Sequence, residues 1–324
     1  MKKKQALAFF LASLVSAAIF VVLVKKIKVE KSNSEISTIL DSTALGKVDK
    51  LALKNSENEI VLVKTEDSSW VIENGEGLEG DASRIYRFID DLSSSKIERT
   101  VSSSADKNSE YGFGLSSVKV LIEEGGRLIR ELHLGETRSG GGQYIKLDQQ
   151  ESIYLISKSV SSDLTKDYWA YKTLIEIPKS NVKGIWWSEA KNKSKTVSYV
   201  REKASDEFKI SRSSGPIKEE NFSRVLKALE NLAFIKLKDR SDKETASSIE
   251  KSSKLIRVRL FDGRELNLTV GSQTSSLGGL LPIELQIGKS PQNETAIPES
   301  LIKENEKLAK LNAQYFFLFS EQIF

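Results

Sequence analysis

The chain has 324 residues, of which 39% are hydrophobic and 29% charged, and its formal net charge is +4. This apolar fraction suffices for the cores of about two ordinary domains, and the small, interspersed basic excess does not predict a nucleic-acid-binding surface. Cysteine is absent and histidine occurs once. Disulfides, thiolate metal sites and cysteine nucleophiles are therefore excluded.

The first segment is an almost purely apolar run over residues 6–24, with lysine clusters on both sides. At about 1.5 Å per residue, a helix over this run reaches about 28 Å, close to the ~30 Å hydrocarbon core of a bilayer. No later run is comparably apolar. The sequence therefore predicts one transmembrane helix, with the lipid bilayer as its partner through residues 6–24.

A cleaved signal peptide is the alternative, because Ser16 and Ala18 are small residues spaced like a cleavage site after Ala18. Cleavage there would leave the apolar residues 19–24 as an exposed terminus without evident use. We therefore predict a retained anchor. Lysines at both ends hardly discriminate orientation, but long domains translocate largely regardless of charge, which favours the N-terminus inside and the bulk of the chain outside.

An internal repeat organises the rest of the chain. Residues 48–53 open a first copy and residues 182–187 open a second in matching register. Alternating apolar and polar residues then predict two further strands in each copy. These strands are expected at 59–65 and 70–72 in copy one, and at 196–201 and 208–210 in copy two.

A helix is predicted next in each copy. In copy one, Asp81 is expected to cap it. Both helices have apolar faces at i, i+3, i+4 and i+7 spacing. The faces are Ile85, Phe88, Ile89 and Leu92 in copy one, and Phe222, Val225, Leu226, Leu229 and Leu232 in copy two.

The second half of each copy contains a hairpin, predicted at 117–135 about Glu124-Gly125-Gly126 and at 254–271 about Asp262-Gly263. A second hairpin follows in copy one, at 143–147 and 152–156. Its counterpart in copy two is looser, with strands at 281–287 and 315–319 separated by a helical insert over 298–311.

The predicted fold class is α+β: an N-terminal transmembrane helix followed by two tandem repeat modules of antiparallel strands, each with one or two packed helices. The predicted boundaries are cytoplasmic lysines and anchor at 1–28, a juxtamembrane linker at 29–45, the first repeat at 46–158, a linker helix at 159–180 and the second, diverged repeat at 181–324.

The run from Glu110 to Leu115, Glu-Tyr-Gly-Phe-Gly-Leu, precedes two strand pairs in copy one. Together with the anchor, Trp70 and the first helix, it resembles the bacterial family called domain of unknown function 4340, over about residues 45–180. Gly114-Leu115-Ser116-Ser117 departs from the acidic residue and proline common in that turn. The resemblance implies a bacterial inner-membrane envelope protein with a periplasmic or extracytoplasmic bulk, often encoded near gliding-motility-type ABC transporter components. It implies no catalytic residues.

A search for catalytic constellations finds none. His133 lies between Leu132 and Leu134 on a predicted strand, so its side chain is expected to point away from the core, and no second histidine offers metal-ligand spacing. Asp90 and Asp91 are adjacent on a predicted helix and diverge by about 100°. We predict no catalytic residues, no metal and no cofactor.

Two tryptophans, Trp186 and Trp187, are neighbours on a predicted strand and must point to opposite faces. Aligning the copies places Trp187 opposite Leu53, a core position, and leaves Trp186 as the outlier. An outlying tryptophan indicates either a protein interface at Trp186 or a residue covered by another part of the chain.

The preferred functional hypothesis is a non-enzymatic, membrane-anchored accessory or assembly module that binds another envelope protein, such as an ABC transporter component. The alternatives are an envelope hydrolase that uses Asp and Glu carboxylates, and a binder of small ligands between the two repeats.

Overall fold

The computed structural model describes residues 38–189, 192–212, 219–251, 254–273, 277–289 and 298–320. The anchor predicted over 6–24 lies outside these ranges. Within them, no helix combines the length and the apolar character needed to cross a membrane. The fold is a mixed α+β arrangement of two large, mostly antiparallel sheets and few helices.

The first sheet has eight strands in the order β3-β2-β1-β5-β6-β7-β8-β4. One helix, α1, lies between β3 and β4 in the sequence. Along the chain these elements are β1 (Lys50–Lys54), β2 (Glu59–Lys64), β3 (Trp70–Ile72), α1 (Ala82–Ser94), β4 (Ile97–Ser102), β5 (Val118–Glu124), β6 (Arg127–Thr137), β7 (Gln143–Leu147) and β8 (Ile153–Ile156).

The range 159–180, predicted as a linker helix, contains only a short helix, α2 (Lys166–Trp169), followed by strand β9 (Thr173–Ile175). The helix is shorter than predicted because the backbone turns extended at Ala170, and the β-branched residues after it pair with a strand further along. Trp169 is fully buried, and its indole N–H donates to the carbonyl of Asp163 over 2.8 Å.

The second sheet also has eight strands, in the order β12-β11-β10-β15-β16-β17-β18-β14. A short strand, β13, pairs separately with β9. The elements are β10 (Val182–Glu189), β11 (Asn192–Val200), β12 (Lys209–Arg212), α3 (Glu219–Glu230), β13 (Leu232–Ala233), β14 (Lys236–Asp239), α4 (Lys243–Glu250), β15 (Lys254–Leu260), β16 (Arg264–Val270), β17 (Leu280–Lys289), α5 (Glu299–Gln314) and β18 (Tyr315–Ser320).

The two sheets share one strand order, since β1 to β8 and β10 to β18, with β13 set aside, occupy equivalent places. The turns of the long hairpins explain part of this agreement. Gly125 and Gly126 have φ of 58° and 75°, and Gly263 has φ of 91°, which are conformations that glycine adopts without strain. The predicted hairpins are confirmed in both copies.

The apolar faces predicted for the two main helices are buried, and Asp81 Oδ1 accepts the backbone N–H of Arg84 as the expected N-cap of α1. One member of the second face, Leu232, lies past the end of α3 and is buried on β13. The helical insert is confirmed as α5. Helix α4 was not predicted, because the side that it buries consists of Thr245 and Ser248 rather than apolar residues.

By compactness, the described residues divide into two units. One contains 38–48, Phe88–Val120 and Ile129–Ser161, and the other contains Asp49–Arg87, Leu121–Leu128 and the described part of 162–324. The domain boundaries inferred from the sequence stay a prediction.

Candidate functional site

Strand β10 places Trp186 and Trp187 on opposite faces of the second sheet. Trp187 lies opposite Val197 and Ile256, and Ile256 is buried. Trp186 lies opposite Ser198 and Arg257. Both indoles are half-buried, so Trp187 has the core-facing position expected for it without being fully enclosed.

The ring of Trp186 is held between the backbone and a cation. The Arg259 guanidinium lies 4.7 Å from the ring centroid, within the range of a cation–π interaction. A Cβ atom added at Gly184 would lie only 2.6 Å from the end of the indole, so this position needs glycine for the ring to lie over it. The orientation of Trp186 is therefore fixed locally.

The charges around Trp186 form a small network. Glu265 accepts from Arg259 Nε over 2.7 Å and lies 3.4 Å from Arg257 Nε. The Arg257 side chain is 52% exposed, whereas Arg259 and Glu265 are largely covered. We call Trp186, Arg257, Arg259 and Glu265 the Trp186 patch. Two guanidinium groups share one carboxylate, so the patch has a positive charge beside an aromatic ring.

The single histidine has the position expected from the sequence. Leu132 and Leu134 are buried, and the side chain of His133 is 33% exposed on the other face of β6. Burial lowers the pKa of His133, and the ammonium group of Lys119 lowers it further, against the raising effect of Glu131. Nε2 lies 3.6 Å from Glu131 Oε1. This environment favours a neutral imidazole.

The carboxylates singled out from the sequence do not converge. Asp90 is exposed, and Asp91 pairs with Lys158 Nζ over 2.9 Å. Among the described residues, no group of three or more His, Cys, Asp or Glu side chains is placed to hold a metal ion.

We call the run from Glu110 to Leu115 the Tyr-Gly element. It packs against strands β6 and β7 of the first sheet. Tyr111 meets the ring of Tyr144 edge-on at 4.7 Å. Gly112 has φ of 81° and lies against Glu136. A Cβ at Gly135 would collide with the carbonyl oxygen of Tyr111 and approach the Phe113 ring to 2.8 Å. These contacts give the element a structural role.

The Tyr111–Gly112 run lies within a region of the chain that matches a known family. The family model described as Domain of unknown function (DUF4340) matches residues 70–251, more than half of the chain. The chain belongs to the DUF4340 family. The match begins later than the resemblance expected over 45–180 and extends into the second copy. No curated protein and no solved structure matches the chain.

Sequence reasoning missed one group of polar residues. Asn305 and Asn312 of α5 line a cavity of about 500 Å³ beside β17, together with Arg240 and Glu284. The available signal was two asparagines seven residues apart on a helix, near the apolar positions Leu308 and Leu311. The Nδ2 of Asn312 donates to the carbonyl of Leu285, whereas the Oδ1 atoms of both asparagines are buried without a donor among the described residues.

Proposed function

We propose that this DUF4340 protein is a non-enzymatic accessory module of the bacterial cell envelope, anchored in the inner membrane by residues 6–24 and carrying its folded part outside the cytoplasm. It binds another envelope protein, such as an ABC transporter component, through the Trp186 patch. The observation that carries this proposal is the half-buried Trp186 under Arg259, next to the exposed Arg257.

The composition of the patch supports a protein partner. Tryptophan and arginine are the residues most enriched among those that dominate binding energy at protein interfaces. Because Gly184 and Arg259 already hold the indole in place, little side-chain entropy is lost when a partner covers it. The excess positive charge favours an acidic region on the partner.

The test is purification of tagged full-length protein in mild detergent, with identification and quantification of co-purifying chains. Trp186→Ala is compared with Leu115→Ala, a matched control because Leu115 is 87% exposed and apolar. We expect an envelope partner at a fixed stoichiometry with the wild type and the control. Loss of about 2 kcal/mol in Trp186→Ala reduces affinity roughly thirtyfold and removes the partner.

Thermal unfolding of both variants shows whether each remains folded. Equal recovery of the partner with Trp186→Ala would show that the patch is not the interface. Absence of any stoichiometric partner in several mild detergents would overturn the accessory function itself.

A further inference from the structure

A second, smaller cavity has mostly apolar walls. Its volume is about 200 Å³, and its walls come from the segment before α1, from β9 and the residues before it, from the segment after β13 and from α5. The apolar residues that line it are Leu78, Leu174, Phe234, Leu308 and Leu311, and all except Leu174 are buried. A cavity of about 150 Å³ with leucine and phenylalanine walls accepts a benzene-sized group. This cavity therefore has room for one apolar side chain.

Main-chain hydrogen bonds hold the walls of this cavity in place. The N–H of Tyr171 donates to the carbonyl of Glu79 over 2.8 Å, and the N–H of Phe234 donates to the carbonyl of Lys172 over 3.1 Å. Gly80 and Ala170 form an antiparallel bridge beside the first of these bonds. Because the backbone around the cavity is already fixed, a ligand that enters loses little affinity to ordering of the chain.

The rim of the cavity carries charges of both signs. Lys307 Nζ donates to Glu79 Oε2 over 2.8 Å, and both side chains are about half-exposed. Glu304 also lines the cavity and accepts from Arg264 Nη1 over 3.2 Å. The ring of Tyr171 is 44% exposed at the same rim. An exposed ion pair such as Lys307–Glu79 contributes little to stability, so a ligand can part it at small cost.

The charges at the rim select among ligands that have an apolar group. A monocarboxylate would pair with Lys307 but would approach the like charges of Glu79 and Glu304. A monoamine would pair with Glu79 but would approach the ammonium group of Lys307. A zwitterion places each of its charges next to an opposite one, which is the favourable arrangement at these short distances.

We propose that this cavity binds a free α-amino acid with an apolar side chain, such as leucine or phenylalanine. The side chain of the ligand occupies the cavity against Phe234 and Leu308. Its carboxylate pairs with Lys307, and its ammonium group pairs with Glu79. The site goes beyond the proposed partner interface and shares no residue with the Trp186 patch.

The test is isothermal titration calorimetry of full-length protein in detergent with L-leucine and L-phenylalanine. We expect at least one of them to bind with a Kd below about 1 mM. N-acetyl-L-phenylalanine lacks the ammonium group and L-phenylalaninamide lacks the carboxylate. Each is expected to bind at least about tenfold more weakly than L-phenylalanine, because it leaves one charge of the rim unpaired. These ligands test the proposal on the wild-type chain, without any substitution.

Lys307→Met removes the cation of the rim, and we expect it to weaken binding of the amino acid at least about tenfold. Lys310→Met is the matched control, because Lys310 is exposed on the same helix and does not line the cavity. Its affinity is expected within about twofold of the wild type. Leu174→Trp narrows the cavity with a larger side chain and is expected to abolish binding, and thermal unfolding shows whether each variant is folded.

Three results would overturn the proposal. The first is no binding of either amino acid up to about 10 mM. The second is equal affinity for L-phenylalanine and L-phenylalaninamide, which would show that the cavity receives the N-terminus of a chain instead of a free amino acid. The third is equal affinity of Lys307→Met and Lys310→Met. Trp186→Ala is expected to leave the affinity for the amino acid unchanged, so the outcome here is independent of the proposed partner interface.

Discussion

The two sheets differ most at the connection between their seventh and eighth strands. In the first sheet, β7 ends at Leu147 and β8 begins at Ile153, so the two strands form a close hairpin with pairing from Gln143 to Lys146. In the second sheet, the connection contains α5, and β18 pairs with only the first part of β17. The same strand order thus accommodates a helical insertion in the second sheet, where the second half of β17 has no strand partner on the β18 side among the described residues.

A second difference concerns the turn that follows the second strand of each sheet. In the first sheet, the half-buried hydroxyl of Thr65 lies within hydrogen-bonding distance of the exposed Asp67 carboxylate and of the carbonyl oxygen of Ser69. In the second sheet, Arg201 is buried and donates to the carbonyls of Lys179, Val182 and Ala204. The second copy therefore relies on one buried cation where the first uses short local hydrogen bonds.

The largest expected effect comes from Arg201→Met, which leaves three carbonyl groups without their donor. We expect the free energy of unfolding to fall by about 3 kcal/mol, as measured by urea unfolding. Thr65→Val at the corresponding turn is expected to cost about 1 kcal/mol. Equal losses would contradict the contrast between the two turns.

Gly135→Ala tests the Tyr-Gly element of the first copy. The new methyl group meets the Tyr111 carbonyl and the Phe113 ring, so we expect a loss of about 2 kcal/mol. Gly271 ends the equivalent hairpin in the second copy, where a Cβ would meet the Ser248 hydroxyl and the Pro282 ring at 2.7 Å. Because the nearest atoms at Gly271 belong to side chains, whereas the nearest atom at Gly135 is a main-chain oxygen, Gly271→Ala is expected to cost about 1 kcal/mol. A smaller loss at Gly135 than at Gly271, by calorimetry, would argue against the packing described for the element.

Arg264 links α5 to the hairpin of β15 and β16 through two ion pairs. Its side chain is 7% exposed and contacts Asp262 at 2.9 Å and Glu304 at 3.2 Å. Arg264→Met is expected to cost about 1 to 2 kcal/mol. The matched control is Arg127→Met, because Arg127 follows the equivalent turn in the first sheet and is exposed; its cost is expected below about 0.5 kcal/mol.

The same contact has a pH dependence. Burial alone would raise the pKa of Asp262, but hydrogen bonds from Arg264 and Asn181 outweigh it and hold the pKa below its ordinary value. Its contribution to stability is therefore present above about pH 4 and is lost as the pH falls through the lowered pKa. The free energy of unfolding of Arg264→Met is expected to depend less on pH over that acidic range.

The smallest expected effect concerns His133. Because burial and Lys119 lower its pKa, the unfolded chain takes up a proton before the folded protein does, and stability falls as the pH drops below about 6.5. His133→Gln is expected to remove this part of the slope in melting temperature between about pH 7.5 and pH 5. An unchanged slope would show that other groups carry it.

Local sequence signals predicted much of the fold. The turn residues Gly125-Gly126 and Asp262-Gly263 located the two long hairpins, and apolar spacing located α1 and α3, because these features depend on nearby residues. Helix α4 was not predicted because it buries the polar residues Thr245 and Ser248. The predicted linker helix was too long because part of that range pairs as β9 with β13, which is distant in the sequence.

The candidate sites were harder to predict from the sequence. The faces of Trp186 and Trp187 followed from strand alternation, but the contact between Trp186 and Arg259 depends on the pairing of β10 with β15. The open edge of β17 depends on where β18 begins relative to α5, which no periodicity specifies. The sequence predicted strands at 281–287 and 315–319, whereas the structure has Leu280–Lys289 and Tyr315–Ser320.

The most direct test of the open edge is amide hydrogen exchange at single residues of β17 in the full-length protein. The N–H of Ile283 faces β18 and that of Ile287 faces the cavity. Without a partner, exchange at Ile287 is expected to be at least about a hundredfold faster than at Ile283, because among the described residues only Ile283 has a strand on that side. Equal protection of the two amides would show that the edge is already covered and would contradict the difference between the two sheets.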